Sequence, residues 1–548
     1  MIFSNLPSYT WLGLGVFLLL LLHVATNYFN HGLNKYPGPF LASLTNWWRF
    51  FLVSGQKCQE THIKLHSQLG NVVRLGPNCL SFADPQAAKT IYSLKNNLNK
   101  STFYPVQMQL HRGVPLPSLF GTLDNTYHSR LRRLATPAFA MSNLVTHYEP
   151  RVDNAIRTFL SQTAKLYAST CASESGDAKT TCNWVRWLQF FAFDVIAEIT
   201  YSKRLGFIDR EEDVDGIIES LDKAFDYSAV VGQMPWLDRW VGKQNPIKRM
   251  LSRWGVWQST SAPARFARER MVERLEEVER KRSMGDNNKT KKEEGGGRAE
   301  GDDLMGMFLQ AQRDDQQQGS GFMTDTVVLT MATTMVLAGS DTTAASLAAV
   351  FYYLLRNEAC YRRLVREIDD AVAEGVISLE TNHGVVSWVD AQKLPYLDAC
   401  IKEAFRLHPA VGMHLERMTP PGGMEICGEF VPGGTIVGCN AWVVHRSLEV
   451  FGEHVDEYRP ERWLVDENLD QETEKQRVSE MNATLLHFGG GIRGCIGRNI
   501  ALLEMYKFVP SFLRRFDIQP TTGKEWPLKN MWFIKPVKLD VRITARAT

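Results

Sequence analysis

The chain opens on an uninterrupted apolar run. Residues 9–27 read YTWLGLGVFLLLLLHVATN, without an Asp, Glu, Lys or Arg. About 20 such residues cross the hydrocarbon core of a bilayer as a helix. Tyr9 and Trp11 at one end, and Tyr28 and Phe29 at the other, suit the two interfaces. The run predicts a membrane anchor. A cleaved signal peptide is the competing reading, but it calls for a basic stretch before the apolar run, and none precedes Tyr9. Lys35 and Arg49, the first basic residues, lie on the C-terminal side, so the positive-inside rule directs the body to the cytosol. Tyr36-Pro37-Gly38-Pro39 cannot continue a helix and reads as a stiff elbow between anchor and body.

Past the elbow, residues 71–81 alternate around Gly76-Pro77 and predict a β-hairpin. Helical spacing then dominates, over 129–134, 152–167, 185–200, 266–282 and 324–355. The last stretch is Ala-rich and apolar nearly all round, which predicts a helix buried in a large core. A β-rich patch is expected over 424–437. Residues 285–303 hold no core-forming side chain and predict a solvated, disordered loop within the body. The expected fold is mainly α with a smaller β portion, as an anchor over 1–35 and a single body over 36–548.

Composition narrows the function. With 548 residues, 44% hydrophobic and 22% charged, the chain can bury a substantial core, and a net charge of +2 gives no argument for nucleic acid. The nine cysteines are scattered, odd in number and form no CxxC pair, which argues against a disulfide framework or a zinc site.

One cysteine stands apart. In Phe488-Gly-Gly-Gly-Ile-Arg-Gly-Cys-Ile-Gly497, the pattern F-x-x-G-x-R-x-C-x-G falls on Phe488, Gly491, Arg493, Cys495 and Gly497. An amphipathic helical run follows, so Cys495 sits in a glycine-rich loop at a helix N-terminus. The positive end of that helix and nearby N–H groups favour a thiolate. Glycines let the backbone approach a flat macrocycle. Arg493 suits a propionate, and Phe488 can pack beside ring and sulfur.

The segment resembles the haem-binding loop of the cytochrome P-450 family. Further motifs follow in family order. Ala338-Gly339-Ser340-Asp341-Thr342-Thr343, inside the long apolar run, looks like its oxygen-activation motif, with Asp341 and Thr342 as the acid–alcohol pair. Glu403-Ala-Phe-Arg406 matches E-x-x-R, and Arg462 in Tyr458-Arg-Pro-Glu-Arg462-Trp463 would complete a buried Glu–Arg–Arg cluster. Arg417 and Arg132 match propionate-binding positions. His128 stands where the family usually has Trp, and His487 where many members have Pro.

The resemblance implies haem b with an axial thiolate, the cytochrome P-450 fold behind a single transmembrane helix, and oxygen insertion from O2. It implies electrons from NADPH through the flavins of NADPH-cytochrome P-450 reductase, with cytochrome b5 a further candidate partner. It places the chain on the endoplasmic reticulum membrane, catalytic body in the cytosol. YPGPFLA, RLGPNCLSFADP and HSRLRRLATPAFA are similar to the fungal pisatin demethylase-like group, which points to secondary metabolite biosynthesis. Arg130, Arg133, Lys475 and Arg477 are expected to form a basic patch for the reductase. Segments 108–123, 335–338, 411–413 and 531–534 match substrate-contact regions and are rich in Leu, Val, Met, Phe and Trp. They imply a lipophilic terpenoid, polyketide, alkaloid or phenolic. Two rivals remain at this point: a haem protein without turnover, and a haem-thiolate enzyme that rearranges or couples without inserting oxygen.

Overall fold

A computed structural model of the chain describes residues 8–168, 180–256, 261–283, 302–378 and 384–546. Its organising helices are α1 (Ser8–Phe29), α2 (Asn125–Ala135), α3 (Trp184–Tyr201), α4 (Ile217–Val231), α5 (Asp325–Arg356), α6 (Pro395–Leu407) and α7 (Arg498–Arg515). Two of these are long and apolar enough to cross a bilayer, and burial separates them. The side chains of α1 over residues 11–26 face outward, with Leu12 71% and Leu19 67% exposed. By contrast α5 runs through the protein core.

The elbow is fixed by one arginine. Arg74 donates to the carbonyls of Tyr28 (2.7 Å) and Asn27 (2.6 Å) at the end of α1, where backbone oxygens lack helical partners. Arg74 N also donates to Pro37 O at 2.8 Å. A Cβ on Gly38 would lie 2.2 Å from the Arg74 carbonyl, so the elbow requires glycine there. Arg49 departs from expectation. Counted with Lys35 as a membrane-flanking charge, it is instead buried in the body and paired with Glu416.

The main sheet takes strands β1 (Val72–Gly76), β2 (Cys79–Phe82), β3 (Asn99–Lys100), β4 (Arg417–Met418) and β5 (Ile436–Cys439), in the order β1-β2-β5-β4-β3. The predicted hairpin is β1–β2, paired antiparallel. The β-patch is the Met424–Ile426/Glu429–Val431 hairpin followed by β5. A second hairpin near the C-terminus pairs β6 (Leu528–Met531) with β7 (Phe533–Pro536). The other helical stretches fall within Glu149–Tyr167 and Ala262–Ser283.

The core is helix on helix. In α3, Trp184, Phe191 and Ile196 are nearly fully buried. Phe191 and Trp184 meet Phe508 (4.5 Å) and Phe512 (4.7 Å) of α7. A Cβ on Gly339 would come within 2.8 Å of Ile196, so glycine lets α5 close onto α3.

Most of the predicted 285–303 loop lies outside the described residues. Its end is corrected: Asp303 is fully buried, accepts from Gly306 N (2.7 Å) as a helix cap, and pairs with Arg274 (2.5 Å). A carboxylate at a helix start completes orphan N–H groups, and a local composition reading does not register that partner.

Candidate active site

The cysteine loop is built by hydrogen bonds and close backbone passages. Cys495 N donates to Phe488 O at 2.8 Å, and Gly494 N to Gly491 O at 3.0 Å. Gly491 has φ +63°, and a Cβ there would sit 2.1 Å from the Tyr92 carbonyl. Its part is therefore this turn; the other nominated loop residues, Phe488, Arg493, Cys495 and Gly497, line a cavity of about 250 Å³ and Gly491 does not. Cys495 opens into the cavity just before the N-terminus of α7. Burial pushes its thiol up; the Gly497 N–H and the charges of Arg132 and Arg498 pull the other way. His487 stacks on Phe405 at 3.9 Å and places Nε2 3.3 Å from Ser346 Oγ, tying the loop to α6 and α5.

Helix α5 supplies another wall. Ala338, Gly339 and Thr342 line the cavity, and the Thr342 hydroxyl donates to Ala338 O at 2.6 Å. Asp341 is absent from the lining. Its buried carboxylate accepts from Gln189 Nε2 (2.7 Å) and pairs with Lys535 Nζ (2.5 Å), which also reaches Asp222 (2.6 Å). Neither Lys535 nor Gln189 carries a sequence signal; both arrive from distant segments.

One edge of the cavity is cationic. Arg132, Arg417, Arg493 and His128 converge there as the sequence predicts, joined by Lys100 and Tyr104, which it does not single out. Lys100 and Arg417 are directly opposed partners on β3 and β4. Like charges so placed repel. Burial holds the Lys100 ammonium well below its ordinary value, reinforced by Arg417 and Arg493. Arg493 is lowered to about 10 by burial and then by Arg417, while burial and the neighbouring cations take His128 to about 3. His128 Nδ1 and Arg493 Nε are buried without a partner. Glu504 is the only carboxylic acid among the described lining residues, and burial pushes it well above the carboxylate range. Buried and half-buried cations beside unpaired donors call for an anion. Haem, with two propionates on a flat apolar ring, supplies that charge, and the residues present fit it.

The residues of the Glu–Arg–Arg cluster do not line the cavity. Arg406 grips Glu403 with two bonds of 2.8 Å, and Arg462 Nε donates to Glu403 Oε1 at 3.1 Å. Trp463 Nε1 adds a fourth bond at 2.8 Å. Burial alone would raise the Glu403 carboxyl, but Arg406 and Arg462 hold it below its ordinary value.

The four residues of the expected reductase patch differ in their surroundings. Arg477 donates to Arg462 O (2.6 Å) and Leu464 O (2.9 Å) and pairs with Glu474. Arg130 lies over the Phe322 ring near Asp315. Arg133 and Lys475 are exposed. A separate buried group of ligating types, Cys79, His414 and Glu416, is largely engaged internally: Arg49 and Ser101 bond Glu416, Cys79 Sγ lies 3.2 Å from His414 Nε2, and His414 Nδ1 is left without a partner.

The family model for cytochrome P450 matches residues 37–542. A cytochrome P450 monooxygenase of Aspergillus terreus is 37% identical over 88% of this chain and 89% of its own length. Cytochrome P450 monooxygenase cicH of Emericella nidulans is 37% identical over 94% of each chain. Cytochrome P450 monooxygenase pkfB of the same fungus is 31% identical over 98% of each. A thiol and a hydroxyl-bearing helix facing one cavity, a cationic edge suited to propionates, and relatives matched nearly end to end agree: the chain belongs to the cytochrome P450 family and is a haem-thiolate monooxygenase.

Proposed function

We propose that this protein inserts one atom of O2 into a lipophilic small molecule of fungal secondary metabolism, with Cys495 as the thiolate ligand of haem b. The observation that carries the reading is that the Cys495 thiol and Thr342 both line one cavity whose edge holds Lys100, Arg132, Arg417 and Arg493. Bound haem supplies oxygen activation, and a thiolate ligand favours O–O cleavage. The protein's residues do the rest. The α7 N-terminus and Arg132 stabilise the charge on Cys495. Lys100, His128, Arg132, Arg417 and Arg493 hold the propionates, and Phe488 packs beside the ring. The Thr342 hydroxyl orients a proton donor on the α5 side, and Asp341 renews that proton. Glu403, Arg406 and Arg462 keep the scaffold around the site in place.

Electrons are drawn from NADPH through a flavin reductase, with cytochrome b5 as a further donor. Helix α1, within an anchor over 1–35, holds the 36–548 body on the cytosolic face of the endoplasmic reticulum in a single pass. Exposed Phe40, Leu41, Trp47 and Phe51 just past the elbow, and Trp236, Trp240 and Trp254 after α4, support a body resting on lipid.

The test is spectroscopic. The reduced CO complex of the wild type should show the red-shifted band of a thiolate ligand, and Cys495→Ala should lose it. Survival of the band in Cys495→Ala overturns the ligand assignment. Product lacking label from 18O2 overturns oxygen insertion.

A further inference from the structure

A second chamber of about 100 Å³ adjoins the haem cavity, sharing Phe120, Thr334, Ala338 and Phe533 with it. Among the described residues lining it, none is Asp, Glu, Lys, Arg or His. A carboxylate or ammonium bound there would be desolvated without a counter-charge, which costs several kcal/mol per ion.

Its polar groups differ between walls, threonine hydroxyls on one and Ser118 with the two-way amides of Gln107 and Gln109 on the other. On α5 stand Thr330, Thr333 and Thr334. Each hydroxyl donates one turn back: Thr330 to Thr326 O at 2.7 Å, Thr333 to Leu329 O at 2.8 Å, Thr334 to Thr330 O at 2.7 Å. A hydroxyl has one hydrogen, so these three can offer a guest only acceptor lone pairs. The segment before α2 contributes Gln107, Gln109 and Ser118. Ser118 Oγ accepts from Gly121 N at 3.1 Å, which leaves its hydrogen to donate. Gln107 Nε2 is buried with no hydrogen-bond partner, a cost a guest acceptor would remove. Phe120, Phe225 and Phe533 complete the wall, the last two meeting edge to face at 5.0 Å.

We infer that the substrate is a neutral, hydroxyl-bearing aromatic of the phenolic kind. Its O–H donates to the threonine face of α5, an oxygen acceptor meets Gln107 and Ser118, and its ring lies among the phenylalanines. The inference rests on the monooxygenase reading and narrows it: cationic alkaloids and free acids are excluded. A site built to hydrogen-bond a substrate hydroxyl discriminates strongly against an analogue that lacks it.

Four probes on one skeleton test this with the haem-loaded protein: 4-phenylphenol, 4-methoxybiphenyl, biphenyl-4-carboxylate and (biphenyl-4-yl)trimethylammonium. Affinity is read by calorimetry, and placement above the haem by the change in the Soret band. The phenol should bind at least about ten times more tightly than its methyl ether, and the two ions should not bind at millimolar concentration. Thr334→Val, at constant volume, should shrink the preference for phenol over ether and leave the reduced-CO band intact. Equal affinities, tighter binding of an ion, failure of all four to bind, or a preference untouched by both Thr334→Val and Gln107→Leu overturns the inference. A wild type without the reduced-CO band would strike the monooxygenase reading instead.

Discussion

The ammonium of Lys535 stands 2.5 Å from the Asp341 carboxylate and 2.6 Å from that of Asp222. Asp222 belongs to α4, Lys535 to β7 and Asp341 to α5, so one lysine ties α4 to the acid beside Thr342. Lys529, the cross-strand partner of Lys535, repeats the link to α4 through Asp226 at 2.7 Å. Lys535, with Gln189 on the other carboxylate oxygen, therefore holds Asp341 in place. Lys535→Met should lower product formed per NADPH while the reduced-CO band stays, because it leaves Asp341 buried without its cation. Combined with Asp341→Asn it should cause little further loss, a coupling of about 1–3 kcal/mol in a double-mutant cycle on turnover. Independent, additive losses would show that Lys535 acts elsewhere.

Removing Lys100 should move two measurements in opposite directions. Lys100 faces Arg417 across the β3–β4 pair, and its Nζ donates only to the neutral Phe120 carbonyl, at 2.7 Å, among the described residues. Lys100→Met should therefore raise the melting temperature of the haem-free protein. It should also speed haem loss to apomyoglobin about tenfold, the equivalent of one charge-assisted hydrogen bond. A parallel fall in both would mean that Lys100 is ordinary packing.

His445 should make the fold acid-sensitive. Its Nε2 accepts from Leu486 N at 2.8 Å and Nδ1 lies 3.1 Å from Arg406 O, a pairing that needs the neutral ring. Burial, with the Arg406 and Arg446 charges, lowers it to about 3. The unfolded chain takes the proton near pH 6.5 and the folded protein refuses it. The stability is complete above that value and is lost as pH falls toward 3, by about 1.4 kcal/mol per unit. His445→Asn should flatten the pH dependence of the urea midpoint between pH 6 and 4 by one proton. An unchanged slope would refute the assignment.

Glu403→Gln should abolish soluble haem protein. It leaves the buried guanidiniums of Arg406 and Arg462 without their carboxylate, a loss of about 3–5 kcal/mol. Soluble, haem-loaded variant with a near-native melting temperature would count against a structural role.

How much was legible in the sequence depends on how local the cause is. Cys495 was marked by its own neighbours: glycines that a tight loop requires, an arginine, and the helix start that favours a thiolate. Thr342 was marked by a polar cluster inside an apolar helix, and α1 by length and apolarity alone. Gly491 was legible only in part. Its φ of +63° is a local property, but what its backbone passes, the Tyr92 carbonyl, is not.

The sequence by itself determined the cofactor chemistry, the long core helix and the apolar N-terminal span, since each depends on residues close together in the chain. Tertiary structure alone decided that Lys100 joins the cationic edge, that Lys535 holds Asp341, and that Arg49 turns inward to Glu416. These pairings join segments hundreds of residues apart, and a charge's partner is set by which backbones the fold brings within a few ångströms. The second chamber belongs with them. Its threonines are unremarkable on α5 until Gln107 and Ser118 are brought opposite, and only then does a patch of helix surface become a site with a direction.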